Sequence, residues 1–421
     1  MKRILYAILS LLMAANAWGQ GCDALEQLRM DPKKSYGGDY PYLFAPSKLT
    51  KSPKGYRPFY ISHYARHGSR YYWNSRLYNE LDTMLTEAHG RHILTEEGEK
   101  FYQNFLSAKQ ELITGVSELT QAGWEQHQRI ARNMYNNFPA VFKDGGNVLA
   151  ISSIVRRCII SMSAFCQELV QCNPEIEIRE EASRFTLNAV APTNGENPVS
   201  HTFKKLVPKY EKNRADFKHG ESIRAKIIPR LFTTTENYPF NPERVAGNLI
   251  KLYTSLPNIG HEGMTGELVT DNDIVENWEN DNLESYSWVF EEQNGMIPIL
   301  LDILQKADKA ISGENCNVAD LRFGHDSCIG PLTVLMGING ADLDPEDPYE
   351  VKKCYQNWET CKACNIQLIF YRGRKASDDI LVKCLLNETE ATLPVKTDSF
   401  PYYRWTDVRN FYFARCESRQ L

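Results

Sequence analysis

The sequence predicts an α/β fold: a core domain with a largely parallel sheet, interrupted by a mostly helical inserted cap. Three observations point there. Strand-like runs followed at once by helix-like runs recur towards both ends of the 421-residue chain, at FYISHY (59–64), NVLAISSIV (147–155) and DLRFG (320–324). The stretch from about Cys172 to Ser312 is instead rich in helical spacing, Asn, Lys and Glu, and poor in strand signals. With 42% hydrophobic residues, no repeat and no low-complexity tract, the composition is that of a packed chain rather than a disordered one. The expected division is therefore a core from 23–171 and 313–421, with the cap at 172–312.

The elements follow in order. The chain opens MKRILYAILSLLMAANAWGQGC, with Lys2 and Arg3 before a short apolar run and small residues at Ala17 to Gly19. Residues 1–19 read as a cleaved secretory signal, because the apolar run is too short to span a bilayer. The protein is thus expected to be exported, periplasmic or extracellular. A lipid anchor on Cys22 is not expected, since Gly19 stands where a lipobox wants a Leu-like residue. FYISHY has the β-branched and aromatic content of a strand. ELTQAGWEQHQRIARNMY (118–135) reads as a helix with Thr120 as its N-cap. NVLAISSIV leads into the helical RRCIISMSAFCQEL, and DLRFG leads into HDSCIGPLTVLMG. Two late strands follow, NIQLIFYR (365–372) and ILVKCLLNE (380–388). Within the cap, DNDIVENWENDN (271–282) lacks the glycine and spacing of a calcium loop and reads as a solvated helix. Eleven cysteines in an exported chain predict some disulfides, with an odd thiol left over. Cys361 and Cys364 (CKAC) have no second pair at zinc spacing and read as a buried or bridged pair.

A formal net charge of -5 gives no global reason to bind nucleic acid, so any affinity for anions must be local. The three strand-to-helix junctions supply it. The first carries Arg66, His67 and Arg70, the second Arg156 and Arg157, the third His325 and Asp326. Open α/β sheets bind ligands beyond the carboxyl ends of their strands, so neighbouring strands would bring these groups into one pocket. Arginine forks match phosphate oxygens two at a time, and helix N-termini add donors of the same sign. The cations keep His67 neutral, leaving a ring nitrogen free to attack phosphorus. Asp326 is the acid that a leaving alkoxide needs. No metal and no cofactor are expected, because the arginines themselves neutralise charge in the transition state. Arg156 reads as a scaffold or rim residue and His63 as core.

These residues carry a family resemblance. RHG at 66–68 with Arg70, SSIVRRC (152–158) and the HD pair at 325–326 resemble the histidine acid phosphatase family, the phytase-containing branch of the histidine phosphatase superfamily. RHGSRYY and the SS-x-x-x-RC run are similar to the versions in multiple inositol polyphosphate phosphatases. LTQAG (119–123) resembles the family's LT-x-x-G helix start, NIQLIFYR resembles a late core strand, and the likeness covers most of the chain after the leader. The resemblance implies that His67 is a nucleophile forming a phosphohistidine, held by Arg66, Arg70, Arg157 and His325, with Asp326 as proton donor. One position departs from it. The inositol polyphosphate phosphatases usually have His-Ala-Glu where this chain has His325-Asp326-Ser327.

The expected function is an exported, metal-independent phosphomonoester hydrolase acting on a small phosphorylated molecule, an inositol polyphosphate such as phytate. A broad-specificity histidine acid phosphatase and a non-catalytic anion-binding protein are the alternatives. Retention of both His67 and Asp326 argues against the last, since binding alone needs neither. In the cap, HTFKKLVPKYEKNRADFKHG (201–220) places Phe203, Leu206, Val207 and Tyr210 at helical spacing with lysines between them. It reads as a solvated basic face or, in the sharper version, as a wall over the pocket in which Lys204, Lys205 and Lys209 meet further phosphates. No span crosses a membrane on this reading, and nothing in the sequence fixes an oligomeric state.

Overall fold

Strands β1 (Tyr56–Arg66), β2 (Gly146–Ser152), β3 (Ile176–Glu181) and β4 (Asn317–Gly324) form the parallel half of one mixed sheet. Strands β5 (Asn365–Gly373), β6 (Leu381–Leu386), β7 (Thr389–Ala391) and β8 (Tyr402–Arg404) extend it antiparallel from β1. The order is β3-β2-β4-β1-β5-β6-β7, with β8 pairing on β6. The computed structural model describes residues 23–44, 47–197, 203–218, 220–375 and 379–419; the expected leader at 1–19 and Cys22 lie outside them.

Between the strands run α1 (Arg76–Gly90), α2 (Glu96–Thr114), α3 (Gln121–Asn137), α4 (Arg156–Cys172), α5 (Ile223–Leu231), α6 (Pro242–Ser255), α7 (Asp271–Glu292), α8 (Ile297–Ser312), α9 (Asp326–Met336) and α10 (Trp405–Arg419). Every residue of β1 from Tyr60 to Arg66 is buried, as befits a central strand covered on both faces. The register sets the site: Arg66 pairs with Gly324, and Ser152 pairs with Phe323. The carboxyl ends of β1, β2 and β4 therefore lie side by side, and α4 and α9 begin directly beyond two of them.

The packing departs from the expected domain boundaries. One apolar cluster covers the sheet and takes in Ile297, Leu300, Ile303 and Leu304 of α8, which the sequence reading had assigned to the cap. A second cluster joins Leu81, Leu85, Phe101, Phe105 and Leu112 of α1 and α2 to Ile227, Leu231, Leu249 and Leu252 of α5 and α6. The helical domain is thus built from two chain segments, one of them upstream of β2. The reason is amphipathic: α1 and α2 each carry one apolar face, and α5 and α6 supply its partner.

Two further expectations change. Residues 271–282 do form a helix, opened by a capping box between Thr270 and Asp273. It is not a solvated one. Ile274 and Trp278 are buried, and Trp278 stacks on Trp358 at 5.0 Å between ring centroids. Such a pair contributes about 0.5–1.5 kcal/mol beyond its buried area. The ten cysteines among the described residues are all free thiols, in place of the expected disulfides; Cys361 and Cys364 are buried.

Candidate active site

β1 delivers the central group. The His67 N–H, one residue past the strand, donates to Gly324 O (3.0 Å), and His67 O accepts from the Ala363 N–H (2.9 Å). The residue is held from both sides and buried. Its Nδ1 lies 2.9 Å from Gly68 O. A carbonyl only accepts, so Nδ1 carries the proton and Nε2 keeps its lone pair.

The loop after His67 is clamped by α3. Thr120 caps that helix and also donates through Oγ1 to Ser69 O (3.0 Å). The Ser69 N–H donates to Gln126 Oε1 (2.9 Å), and the Gly68 N–H to Ser161 Oγ of α4 (3.1 Å). Gly68 and Gly123 permit this approach. A Cβ on Gly68 would stand 2.4 Å from Gly123 O, and one on Gly123 would stand 2.3 Å from Ser69 O. The LTQAG run is thus the seat of the motif loop.

Three guanidiniums surround the ring. Arg66 donates through Nη1 to Gly38 O (2.7 Å) and Thr360 O (2.8 Å), and through Nη2 to Asp326 Oδ2 (2.7 Å). Arg70 donates to Tyr71 O (2.8 Å). Arg157, in the first turn of α4, donates to Ser117 Oγ (2.8 Å) and approaches His325 Nδ1 at 3.4 Å. The Nε atoms of all three arginines are buried without a hydrogen-bond partner. Cations packed this way call for an anion. Burial, then Arg70, Arg66 and Arg157, push His67 well below the ordinary imidazole range, so the ring is neutral.

His325 caps α9 without a side-chain cap bond, and its ring stands 6.0 Å from that of His67. Arg157 faces Nδ1, so the proton sits on Nε2 and is donated to Ser153 Oγ at 2.8 Å. Burial and Arg157 lower His325 to about 4. Asp326 is half exposed. Its Oδ1 accepts the Ser327 N–H at 2.9 Å. Burial raises this carboxyl, but Arg66, Lys362 and Arg70 outweigh it and hold the group well below the usual carboxylate range.

His67, Arg66, Arg70, Arg157, His325 and Asp326 are therefore brought together. Arg156 is exposed and pairs with Glu118. His63 is core, between Phe165 and Phe323. The lysines of the cap are elsewhere. Residues 203–208 are irregular and 209–216 form a 3-10 turn rather than the expected helix. Tyr210 and Leu206 anchor the segment on a third apolar cluster with Leu283 and Tyr286. Lys205 pairs with Glu292 (2.5 Å), Lys209 is exposed, and Lys204 lines a cavity with Leu149 and Ile151. Beside the motif loop, a different cavity of about 430 Å³ is lined by Tyr72, Trp73, Arg76, Arg224, Arg244 and Lys251. Arg76 and Arg244 are engaged by Glu80, whereas Arg224 and Lys251 are exposed. Sequence reasoning also missed Asp39 and Lys362, which join the cluster from distant segments. Lys362 had a signal, its place inside CKAC, but that motif was read for its cysteines.

Neither family models nor curated proteins match this chain. Solved structures do. The multiple inositol polyphosphate phosphatase of Bifidobacterium longum, in complex with inositol hexasulfate, superposes with a TM-score of 0.67 at 18% identity, over 90% of this chain and 97% of that one. The phytase of D. castellii gives 0.67 at 14% identity, over 92% and 86%. Hafnia alvei phytase in complex with tartrate gives 0.54 at 10% identity, over 87% and 99%. The chain has the fold of these phosphatases along nearly its whole length.

Proposed function

We propose that the protein is a phosphomonoester hydrolase acting through a phosphohistidine, with inositol polyphosphates as substrates. One observation carries the reading: a neutral, buried His67 whose Nδ1–H is tied to Gly68 O, facing three arginines, one of which holds the Asp326 carboxylate. In the first step Nε2 attacks phosphorus, the bond to the ester oxygen breaks, and protonated Asp326 gives its proton to the leaving alkoxide. In the second, water attacks the phosphohistidine, Asp326 takes the water proton, and phosphate leaves with the Nε2 lone pair restored. The Gly68 carbonyl supports the positive ring of the intermediate. Arg66, Arg70 and Arg157 bear the charge on the equatorial oxygens.

In the resting site Asp326 is ionised and paired with Arg66. A bound phosphate dianion competes for that guanidinium and cancels its field, so the carboxyl can take up a proton when substrate arrives. The phytate preference draws on the folds of the neighbours and on the cations beside the motif loop. Export draws on residues 1–19 alone.

The test is phosphate release from phytate and from an aryl phosphate, both with chelator present. His67→Ala should lower kcat by more than about a thousandfold, roughly 4 kcal/mol of transition-state stabilisation. Acid quenching of the wild type during turnover should trap phosphate on His67. Comparable rates on both substrates would favour the broad phosphatase, and release from neither would favour the anion-binding protein.

A further inference from the structure

Two groups outside the machinery just described sit against it. Lys362 lies on the loop before β5 with its side chain 1% exposed. Its ammonium donates to Asp39 Oδ1 (2.5 Å) and to Gly38 O (2.9 Å). Gly38 O is also an acceptor for Arg66, so the lysine and the arginine that holds Asp326 converge on one carbonyl. Asp39 is further fixed by Thr254 of α6, which donates to Oδ2 at 3.4 Å. A buried ammonium is costly, and here it is retained with a carboxylate partner.

The ammonium of this lysine is engaged by Asp39 and Gly38 O. It can act through its charge. We propose that Lys362, clamped by Asp39, is a positioning residue for the catalytic acid: the buried ammonium and the Asp39 carboxylate together set the field in which Asp326 gains and loses its proton. This rests on the phosphatase reading and deepens it.

The surrounding charges are all accounted for. Lys362 faces Arg66 from β1, Arg70 from the motif loop and Asp39 from the 32–39 segment, and burial with Arg66 brings its ammonium down to about 7. On its own loop the Cys361 and Cys364 thiols are pushed up by burial and stay protonated, with Glu359 beyond Cys361. Asp39 feels Lys362, Arg70 and Arg66, and its charge is felt by the phenols of Tyr72 and Tyr78. Asp326 feels Arg66, Lys362, Arg70 and His325. With Lys362 charged, four cations (Arg66, Arg70, Arg157, Lys362) meet two carboxylates (Asp39, Asp326), and the excess of two positive charges matches one phosphate dianion.

The signs then differ between the two partners. Removing the lysine charge makes Asp326 hold its proton to higher pH. Removing the Asp39 charge makes it lose the proton at lower pH. The experiment is the pH profile of kcat on an alkyl phosphate. In Lys362→Met the basic limb should move up by about one to three pH units, the upper end being the scale of a unit charge about 4 Å away at an effective dielectric near 20. In Asp39→Asn it should move down, and Lys362→Arg should return it to the wild-type position. A packing defect would lower kcat without moving the limb in opposite directions. Limbs unmoved, or moved the same way in both variants, would overturn the assignment while leaving the phosphatase intact. A wild type that releases no phosphate would instead take down both readings.

Discussion

At His67 the decisive question is which protonation state each group holds, and the answer sets the pH behaviour of the proposed reaction. His67 lies well below its ordinary range, so acid down to moderately low pH does not disarm the nucleophile. Asp326 has the opposite requirement: it must be protonated to assist an alkoxide, yet its neighbours favour the ionised form. Raising pH therefore removes the active form of Asp326 without improving His67. The rate on alkyl phosphates should fall from acid towards neutral pH, with no compensating rise from the histidine. Asp326→Asn keeps the shape and removes the proton. Alkyl phosphate hydrolysis should slow by about 10² to 10⁴, and aryl phosphates, with better leaving groups, should suffer much less. Steady-state kinetics on the two substrate types decide it, and equal losses would make Asp326 a structural cap of α9.

Between elements, the seat of α3 against the motif loop leaves no room for a Cβ on Gly68 or Gly123. Gly123→Ala would drive a methyl group into Ser69 O, in the loop that carries His67 and Arg70. A displacement of about 1 Å in reacting groups can cost roughly 10²-fold in rate. The variant should therefore lose kcat far out of proportion to its loss of thermal stability, read by kinetics beside a thermal melt; a large fall in Tm with kcat preserved would contradict the clamp. This contact also shows what was legible in the sequence. Thr120 as a cap and the strand-to-helix junctions themselves follow from local signals, because strand, cap and helix spacing are local properties. That the three junctions converge depends on the sheet order β2-β4-β1, which is not local, and β1 runs two residues past the Tyr64 that the pattern marks as its end. The Asp39–Lys362 pair joins residues 323 positions apart, and no local pattern announces it. Nor does periodicity tell which partner an apolar face will choose. The faces of α1 and α2 were visible in the sequence, but their pairing with α5 and α6 was not.

Across the whole molecule, that pairing decides which cations can reach a large substrate. The lysines of the 203–218 segment fit an amphipathic pattern, and Tyr210 and Leu206 satisfy it by packing against α7 rather than beside the motif loop. The two-segment helical domain instead places Arg224 of α5 and Lys251 of α6 in one cavity with Tyr72, two residues beyond Arg70. Phytate carries phosphates beyond the one being cleaved and a simple aryl phosphate carries none. Arg224→Gln with Lys251→Gln should therefore raise KM for phytate roughly tenfold, about 0.7 kcal/mol for each partly screened charge, and leave the aryl substrate nearly unchanged. Both side chains are exposed, so their contribution is screened over a Debye length of about 8 to 10 Å near physiological ionic strength. The KM difference between variant and wild type should shrink as salt is raised, whereas the buried arginines around His67, held by fixed hydrogen bonds, should respond less. The corresponding change at Lys204, Lys205 and Lys209 should leave phytate kinetics alone. If that triple variant raised KM and the Arg224/Lys251 variant did not, the segment around 203–218 would have to fold over the site in the substrate complex.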